Sequence, residues 1–107
     1  MAVVVEVLVS GNCPHEDAAI DLVAIAARAI GVRPRVDVIE IADLNMAEQH
    51  DFVGSPTIRV NGRDVAPPAV TAPVSLACRH YETGHGRSAV PDVKQLRAAL
   101  RDAGRGG

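Results

Sequence analysis

Aromatic residues are scarce in this chain of 107 residues, and neither sign of charge dominates. Phe52 and Tyr81 are the only aromatic side chains, which leaves no stacking platform for the bases of single-stranded nucleic acid. A formal net charge of -2 excludes the basic footprint of a nucleic-acid or anionic-membrane surface. The longest apolar run, residues 3–9, is interrupted by Glu6 and is far shorter than a membrane span. We therefore expect neither a nucleic-acid partner nor a membrane partner.

Cysteine is also rare, since Cys13 and Cys78 are the only two. Two cysteines are too few for a disulfide scaffold. The N-terminal segment lacks the basic region and cleavage site of a secretory signal peptide, so we expect reduced thiols and a cytoplasmic location. The length suits one domain, with a core over residues 3–103 and a frayed tail over residues 104–107.

The first third of the chain has the pattern of a βαβ unit. Residues 3–9 are almost all β-branched, which is typical of a strand covered on both faces. Residues 14–30 are rich in alanine with apolar side chains at helical spacing, and Gly31 suits the position just past the helix. Residues 36–41 predict a second strand, which should run parallel to the first.

The middle of the chain predicts a short helix and a hairpin. Residues 43–52 suit a helix with Asp43 as its N-cap. Residues 55–60 then predict a third strand, and Asn61-Gly62 is a strong hairpin signal. Residues 63–65 should therefore turn back along the third strand.

The last third predicts an interrupted fourth strand and a final helix. Residues 66–73 contain three prolines and are interpreted as a loop, after which the fourth strand should resume at residues 76–81. Residues 91–103 predict the last helix, ended by Gly104. The fold class is therefore α/β, with the order β-α-β-(α)-β-β-α, a four-stranded mixed sheet and helices on both faces.

This order of elements, over residues 3–103, resembles the thioredoxin superfamily. Gly11-Asn12-Cys13-Pro14-His15-Glu16 occupies the place of that superfamily's Cys-x-x-Cys motif, with Glu16 where the second cysteine would be. Gly54-Ser55-Pro56-Thr57 occupies the place of its cis-proline. The chain is also similar to small bacterial thioredoxin-like proteins that carry a late Cys-Arg-x-Tyr, here residues 78–81.

The resemblance implies that Cys13 is a nucleophilic thiol. A thiol reacts as its thiolate, and the position of Cys13 at the expected N-cap of the long helix favours a negative sulfur. His15 would act in the same direction when protonated, whereas the negative charge of Glu16, one turn away, would act against it. Glu16 is either an N3 residue that supports the helix start or a proton acceptor for the thiol. We therefore assign Cys13, His15, Glu16 and Pro56 as candidate catalytic residues.

Three further residues are candidates for substrate binding, by the same resemblance. The superfamily implies a cis peptide bond at Ser55-Pro56, close to Cys13 in space. Ser55 would then offer backbone hydrogen bonds to an extended substrate, as in β-strand addition. Asn12 and Thr57 flank these positions and complete the expected substrate-binding set.

Cys78 has two open interpretations. On a fourth strand it would fill the core, or it would approach Cys13 and act as a distant resolving thiol. A soft-metal alternative uses the repeated Cys-x-His pattern, with Cys13, His15, Cys78 and His80 as ligands.

Three functions follow from these residues. The first is a monothiol, glutaredoxin-like redox protein, a thiol–disulfide oxidoreductase in which Cys13 attacks disulfides or glutathione adducts. It needs no bound cofactor, and glutathione or another external thiol releases the product. The second is a soft-metal or organomercurial-binding protein that uses Cys13 and Cys78. The third is a non-catalytic binding module. The expected assembly is a monomer or a weak homodimer.

Overall fold

The structure is a computed structural model that describes residues 3–68 and 72–105. Residues 69–71, in the expected proline-rich loop, and residues 106–107, in the expected tail, lie outside the described residues. The helices and strands, in chain order, are β1 (Val4–Ser10), α1 (Glu16–Ile30), β2 (Arg35–Ile41), α2 (Leu44–Gln49), β3 (Thr57–Val60), β4 (Arg63–Asp64), β5 (Tyr81–Thr83), β6 (Gly86–Ser88) and α3 (Val93–Arg105).

The main sheet has four strands in the order β2-β1-β3-β4. β1 pairs in parallel with β2 and antiparallel with β3, and β3 pairs antiparallel with the short β4. The expected parallel βαβ unit and the antiparallel hairpin are thus confirmed, as is the class of a mixed α/β sheet.

Two apolar clusters cover the two faces of this sheet, because successive side chains of a strand point to opposite faces. Val5, Val7 and Val9 of β1 pack with α1 and α3 in the larger cluster. Leu8 of β1 packs with Phe52 and the α2 region in the smaller one. The predicted helices on both faces are therefore present, and β1 is buried between them.

Helix α1 ends as predicted but begins later. Gly31 adopts the left-handed conformation with φ of 72°, and the N–H groups of Gly31 and Val32 donate to the carbonyls of Arg28 and Ala27. This is the hydrogen-bond pattern of a Schellman end. At the other end, the helix starts at Glu16 with His15 as the N-cap, two residues after the expected cap at Cys13.

Helix α2 is shorter than predicted. Asp43 is its N-cap, and the carboxylate accepts a hydrogen bond from the Met46 N–H at 2.8 Å, as expected for this residue type. The helix stops at Gln49, before the predicted end at Phe52. The Arg59 guanidinium of β3 donates to the carbonyl of His50 at 2.5 Å, which satisfies an acceptor just past the helix end.

The predicted fourth strand over residues 76–81 is wrong. β4 consists of Arg63 and Asp64 alone, and it ends where the Asp64 carboxylate accepts a hydrogen bond from the Ala66 N–H at 2.8 Å. Pro67 and Pro68 follow and have no N–H group to extend a ladder. Cys78 makes one isolated parallel bridge, with Ser55, and no continuous strand.

The C-terminal third also differs from the sequence-based expectation. Residues 81–88, expected as a loop around two glycines, form the β5–β6 hairpin. Helix α3 runs through Gly104 to Arg105, so these two residues of the expected frayed tail are helical. Among the described residues, no helix is long and apolar enough to cross a membrane.

Candidate functional site

Cys13 lies in the turn that joins β1 to α1. Its side chain is partly exposed and packs against the larger apolar cluster. Its carbonyl accepts a hydrogen bond from the Glu16 N–H at 3.4 Å, which leads the chain into the helix. Asn12, directly before it, is exposed and has a left-handed φ of 58°. The turn therefore leaves the thiol both supported by the core and reachable by solvent.

The first turn of α1 differs from the expected capping arrangement. His15 occupies the N-cap, and its side chain makes no capping hydrogen bond to the first N–H groups of the helix. Glu16 is the first helical residue, so its interpretation as an N3 capping-box glutamate is wrong. His15 and Glu16 are both half-buried and lie within three residues of Cys13.

Ser55 connects the end of β1 to a distant part of the chain. Its Oγ accepts a hydrogen bond from the Ser10 N–H at 3.0 Å. Its N–H donates to the Ala77 carbonyl at 3.0 Å, and its carbonyl accepts from the Arg79 N–H at 2.8 Å. We call residues 77–79 the bridging segment. Ser55 thus lies between the strand that leads to Cys13 and the bridging segment that contains Cys78.

The Ser55-Pro56 peptide bond is cis, as predicted. The expected substrate contacts of this loop, however, are not free. Ser55 is 1% exposed and Thr57 is 0% exposed, and Pro56 is fully buried. The N–H and carbonyl groups of Ser55 are both bonded to the bridging segment, which occupies the backbone edge that an extended substrate would need. In this structure Ser55 and Thr57 therefore hold the loop together.

Cys78 is exposed, so its interpretation as a core-filling side chain is wrong. The error follows from the predicted strand, because residues 76–81 do not enter the sheet interior. Both cysteines are free thiols, with no disulfide between them.

A buried ion pair fixes the bridging segment to the sheet. The Arg79 side chain is 9% exposed, and its guanidinium contacts the Asp64 carboxylate at 2.7 Å. The same guanidinium donates to Thr57 Oγ1 at 3.1 Å and to the Ala66 carbonyl. Thr57 Oγ1 donates in turn to the Gly54 carbonyl at 2.7 Å. Arg79 therefore links the β3–β4 hairpin and the cis-proline loop through one side chain.

Tyr81 completes this network from the other side. Its hydroxyl donates to the Pro56 carbonyl at 2.5 Å, and the Arg79 guanidinium lies 4.5 Å from the centre of its ring. Burial raises the pKa of the Tyr81 hydroxyl well above its ordinary value, and the nearby positive charge of Arg79 offsets only part of that rise. The hydroxyl is therefore protonated, and remains a hydrogen-bond donor, throughout the neutral range.

Tyr81→Phe is expected to destabilise the protein in a pH-dependent way. Near pH 7 the loss should be about 1–3 kcal/mol, because the buried Pro56 carbonyl loses its donor. Above about pH 10 the wild type itself loses up to ~1.4 kcal/mol per pH unit from this group, since the phenol ionises only in the unfolded chain. The variant has no phenol at this position and does not lose this stability. Urea unfolding should therefore show that the difference in free energy of unfolding between the two proteins decreases as pH rises. A gap that stays constant from neutral to alkaline pH would contradict the buried, protonated phenol.

The four-residue metal site is not assembled. In residues 3–68 and 72–105, no group of three or more histidine, cysteine and acidic side chains lies close enough to hold a metal ion. Cys13, His15, Cys78 and His80 all belong to these residues, and the structure does not bring them together as a ligand set.

Asp64, Arg79 and Tyr81 were not predicted as site residues. The sequence contains one indication of this ion pair, because Arg79 follows an apolar stretch. A buried arginine requires a carboxylate partner. Which carboxylate it meets is a property of the tertiary structure, since Asp64 and Arg79 are 15 residues apart in the chain.

The candidate site thus has two parts, a partly exposed thiol just before α1 and a buried polar network around Arg79. The hydrogen bond from the Ser10 N–H to Ser55 joins the end of β1, three residues before the thiol, to this network. Comparison with protein-family models, with curated proteins and with solved structures finds no match to this chain.

Proposed function

We propose that this chain is a monothiol redox protein of the thioredoxin-like type, in which Cys13 attacks disulfides or glutathione adducts. The sheet order β2-β1-β3-β4, with α1 following the cysteine turn, is compatible with that type of fold. The proposal depends on the thiol of Cys13 and needs neither a metal nor a second cysteine.

The position of Cys13 carries the proposal. The thiol is partly exposed, packs on the apolar core and lies just before the N-terminal N–H groups of a helix whose N-cap residue, His15, makes no side-chain capping hydrogen bond. Such N–H groups and the helix dipole favour a negatively charged sulfur. Core packing also fixes the direction of approach, which an attack on a disulfide requires.

The reaction has two balanced steps. The Cys13 thiolate attacks one sulfur of a disulfide, a new S–S bond forms, and the other sulfur leaves as a thiolate. An external thiolate, such as glutathione, then attacks the mixed disulfide and releases Cys13 as a thiolate again. In sum, one substrate disulfide bond is broken, one disulfide bond to the external thiol is formed, and one external thiolate is consumed for each substrate thiolate released. The chain itself is therefore unchanged after each cycle.

His15 and Glu16 are the candidate groups for proton transfer at the Cys13 thiol. Both are half-buried in the turn and first helical residue after the cysteine. We assign to the imidazole of His15 and the carboxylate of Glu16 the proton transfer that attack by the thiol requires.

The substrate class follows from the closed backbone edge of Ser55. Its N–H and carbonyl groups are bonded to Ala77 and Arg79, so an extended polypeptide has no free edge to pair with there. Small disulfides and glutathione adducts need no such pairing, and we assign them as the substrates.

Incubation with glutathione disulfide tests the proposal. Intact-mass analysis should show one glutathione per chain, located at Cys13 by peptide mapping, and Cys78→Ser should leave this adduct unchanged. Cys13→Ser should remove it. A loss of two hydrogens without an adduct would instead mean a Cys13–Cys78 disulfide and would overturn the monothiol mechanism. No modification at Cys13 would favour the non-catalytic module.

A further inference from the structure

The free edge of β2 is the largest unpaired strand edge among the described residues. β2 has seven residues and pairs only with β1, at one side. The Arg35 N–H donates to the Val3 carbonyl at 2.9 Å, toward β1. Because backbone groups alternate along a strand, Val36 and Val38 direct their N–H and carbonyl groups away from β1. Such an edge is a template for another strand.

The side chains of this edge are apolar on one face. Val36 is 39% exposed and Val38 is 46% exposed, and they pair in register with Val5 and Val7 on the α1 side of the sheet. A groove of about 610 Å³ lies beside them, between β2 and α1. Its apolar lining includes Ile20, Ala24, Val32, Pro34 and Val36.

The opposite face of the same edge carries one positive and one negative side chain, which could pair with the same two side chains of a second copy. Arg35 and Asp37 lie two residues apart and form an ion pair at 3.0 Å, with side chains 71% and 36% exposed. An antiparallel copy of β2 centred on Val36 would place Arg35 opposite the partner's Asp37 and Asp37 opposite the partner's Arg35. Centring the pair on Asp37 would instead bring two aspartates together, which is unfavourable.

We propose that a second copy of this chain pairs with the start of the β2 edge, over residues 35–37, which gives a symmetric homodimer with one continuous eight-stranded sheet. The two Val36 residues exchange backbone hydrogen bonds at the two-fold axis, and their side chains meet beside the two grooves. Two arginines and two aspartates alternate on the other face. A second copy is the occupant because its Arg35 and Asp37 meet the opposite charges of this β2 in the Val36-centred register. In this register Val38 lies opposite the Pro34 of the second copy, so the paired segment is short. The inference is independent of the redox chemistry of Cys13.

Sedimentation equilibrium over a wide concentration range tests the dimer. Wild-type protein should approach twice the 11.2 kDa mass of the chain as concentration rises. Val36→Lys places two positive charges at the axis and should remain monomeric. Ile25→Lys is the matched control, since Ile25 is 57% exposed on α1 and outside the groove lining, and it should dimerise like the wild type. A wild type that stays monomeric up to millimolar concentration, or a Val36→Lys variant as dimeric as the control, would overturn the proposal.

Charge exchange tests the register. Arg35→Asp and Asp37→Arg should each weaken association by about tenfold, because each creates two like-charged pairs across the axis. The double variant restores opposite charges and should associate nearly as tightly as the wild type. Single variants that dimerise normally, or a double variant no better than either single one, would exclude this register and the proposed interface with it.

Discussion

Arg79→Met is expected to lower the free energy of unfolding by about 3 kcal/mol, since removing one partner of a buried ion pair leaves the other charge uncompensated. The side chains of Arg79 and Asp64 are only 9% and 14% exposed. The variant also loses the hydrogen bonds to Thr57 and to the Ala66 carbonyl. For a domain of this size, thermal unfolding should move down by roughly 12 °C or more.

Two further variants separate this effect from a general loss of charge. Arg87→Met removes an exposed pair with Glu82, whose side chains are 70% and 79% exposed, and should change stability by less than about 0.5 kcal/mol. Asp64→Asn in the Arg79→Met background removes the orphaned carboxylate while keeping an acceptor for the Ala66 N–H, so it should recover part of the loss. An Arg79→Met variant as stable as Arg87→Met would refute the role of the ion pair.

Gly54→Ala is expected to lower the free energy of unfolding by a similar amount, roughly 3 kcal/mol. Backbone strain and overpacking both contribute to this loss. Gly54 has φ of 142°, a conformation that other residues rarely adopt. A Cβ there would lie 2.9 Å from the Cβ and 3.2 Å from the Cα of Arg79. The bridging segment would have to move away from Ser55 to make room. Chemical denaturation of the variant measures this cost.

Gly62→Ala is the matched control for Gly54→Ala. Gly62 also has a positive φ, 83°, but a Cβ at this position would meet nothing within 4 Å. Gly62→Ala should therefore lower the free energy of unfolding only by the backbone strain, about 1 kcal/mol. Equal losses in the two variants would mean that the close packing of Gly54 against Arg79 contributes nothing.

The parts of the fold that were predictable depend on local patterns. The β-branched run of β1, the alanine-rich α1 and its end at Gly31 follow from side chains within a few residues of one another. The N-cap at Asp43 is equally local. The cis bond at Ser55-Pro56 was predicted by resemblance, because no local pattern specifies it.

The parts that failed depend on partners far away in the chain. Residues 76–81 have strand-like composition, but their pairing is decided by Ser55 and by the buried contact of Arg79 with Asp64. The exposure of Cys78 follows from that single bridge with Ser55, and the residues next to Cys78 in the sequence do not predict it. The predicted N-cap of α1 was wrong for a different reason. Cys13, Pro14 and His15 are each plausible at a helix start, so the sequence does not distinguish a start at Pro14 from the observed start at Glu16.

The rate of alkylation at each cysteine tests the central claim most directly. Cys78 is the more exposed of the two thiols, so accessibility alone predicts that it reacts faster. If the start of α1 activates Cys13, iodoacetamide at neutral pH should label Cys13 faster, by about tenfold, because the thiolate is the reacting form. Peptide mass spectrometry of a time course gives both rates in one sample. Faster labelling of Cys78 in the folded protein, or equal rates, would contradict the assignment of Cys13 as the reactive thiol.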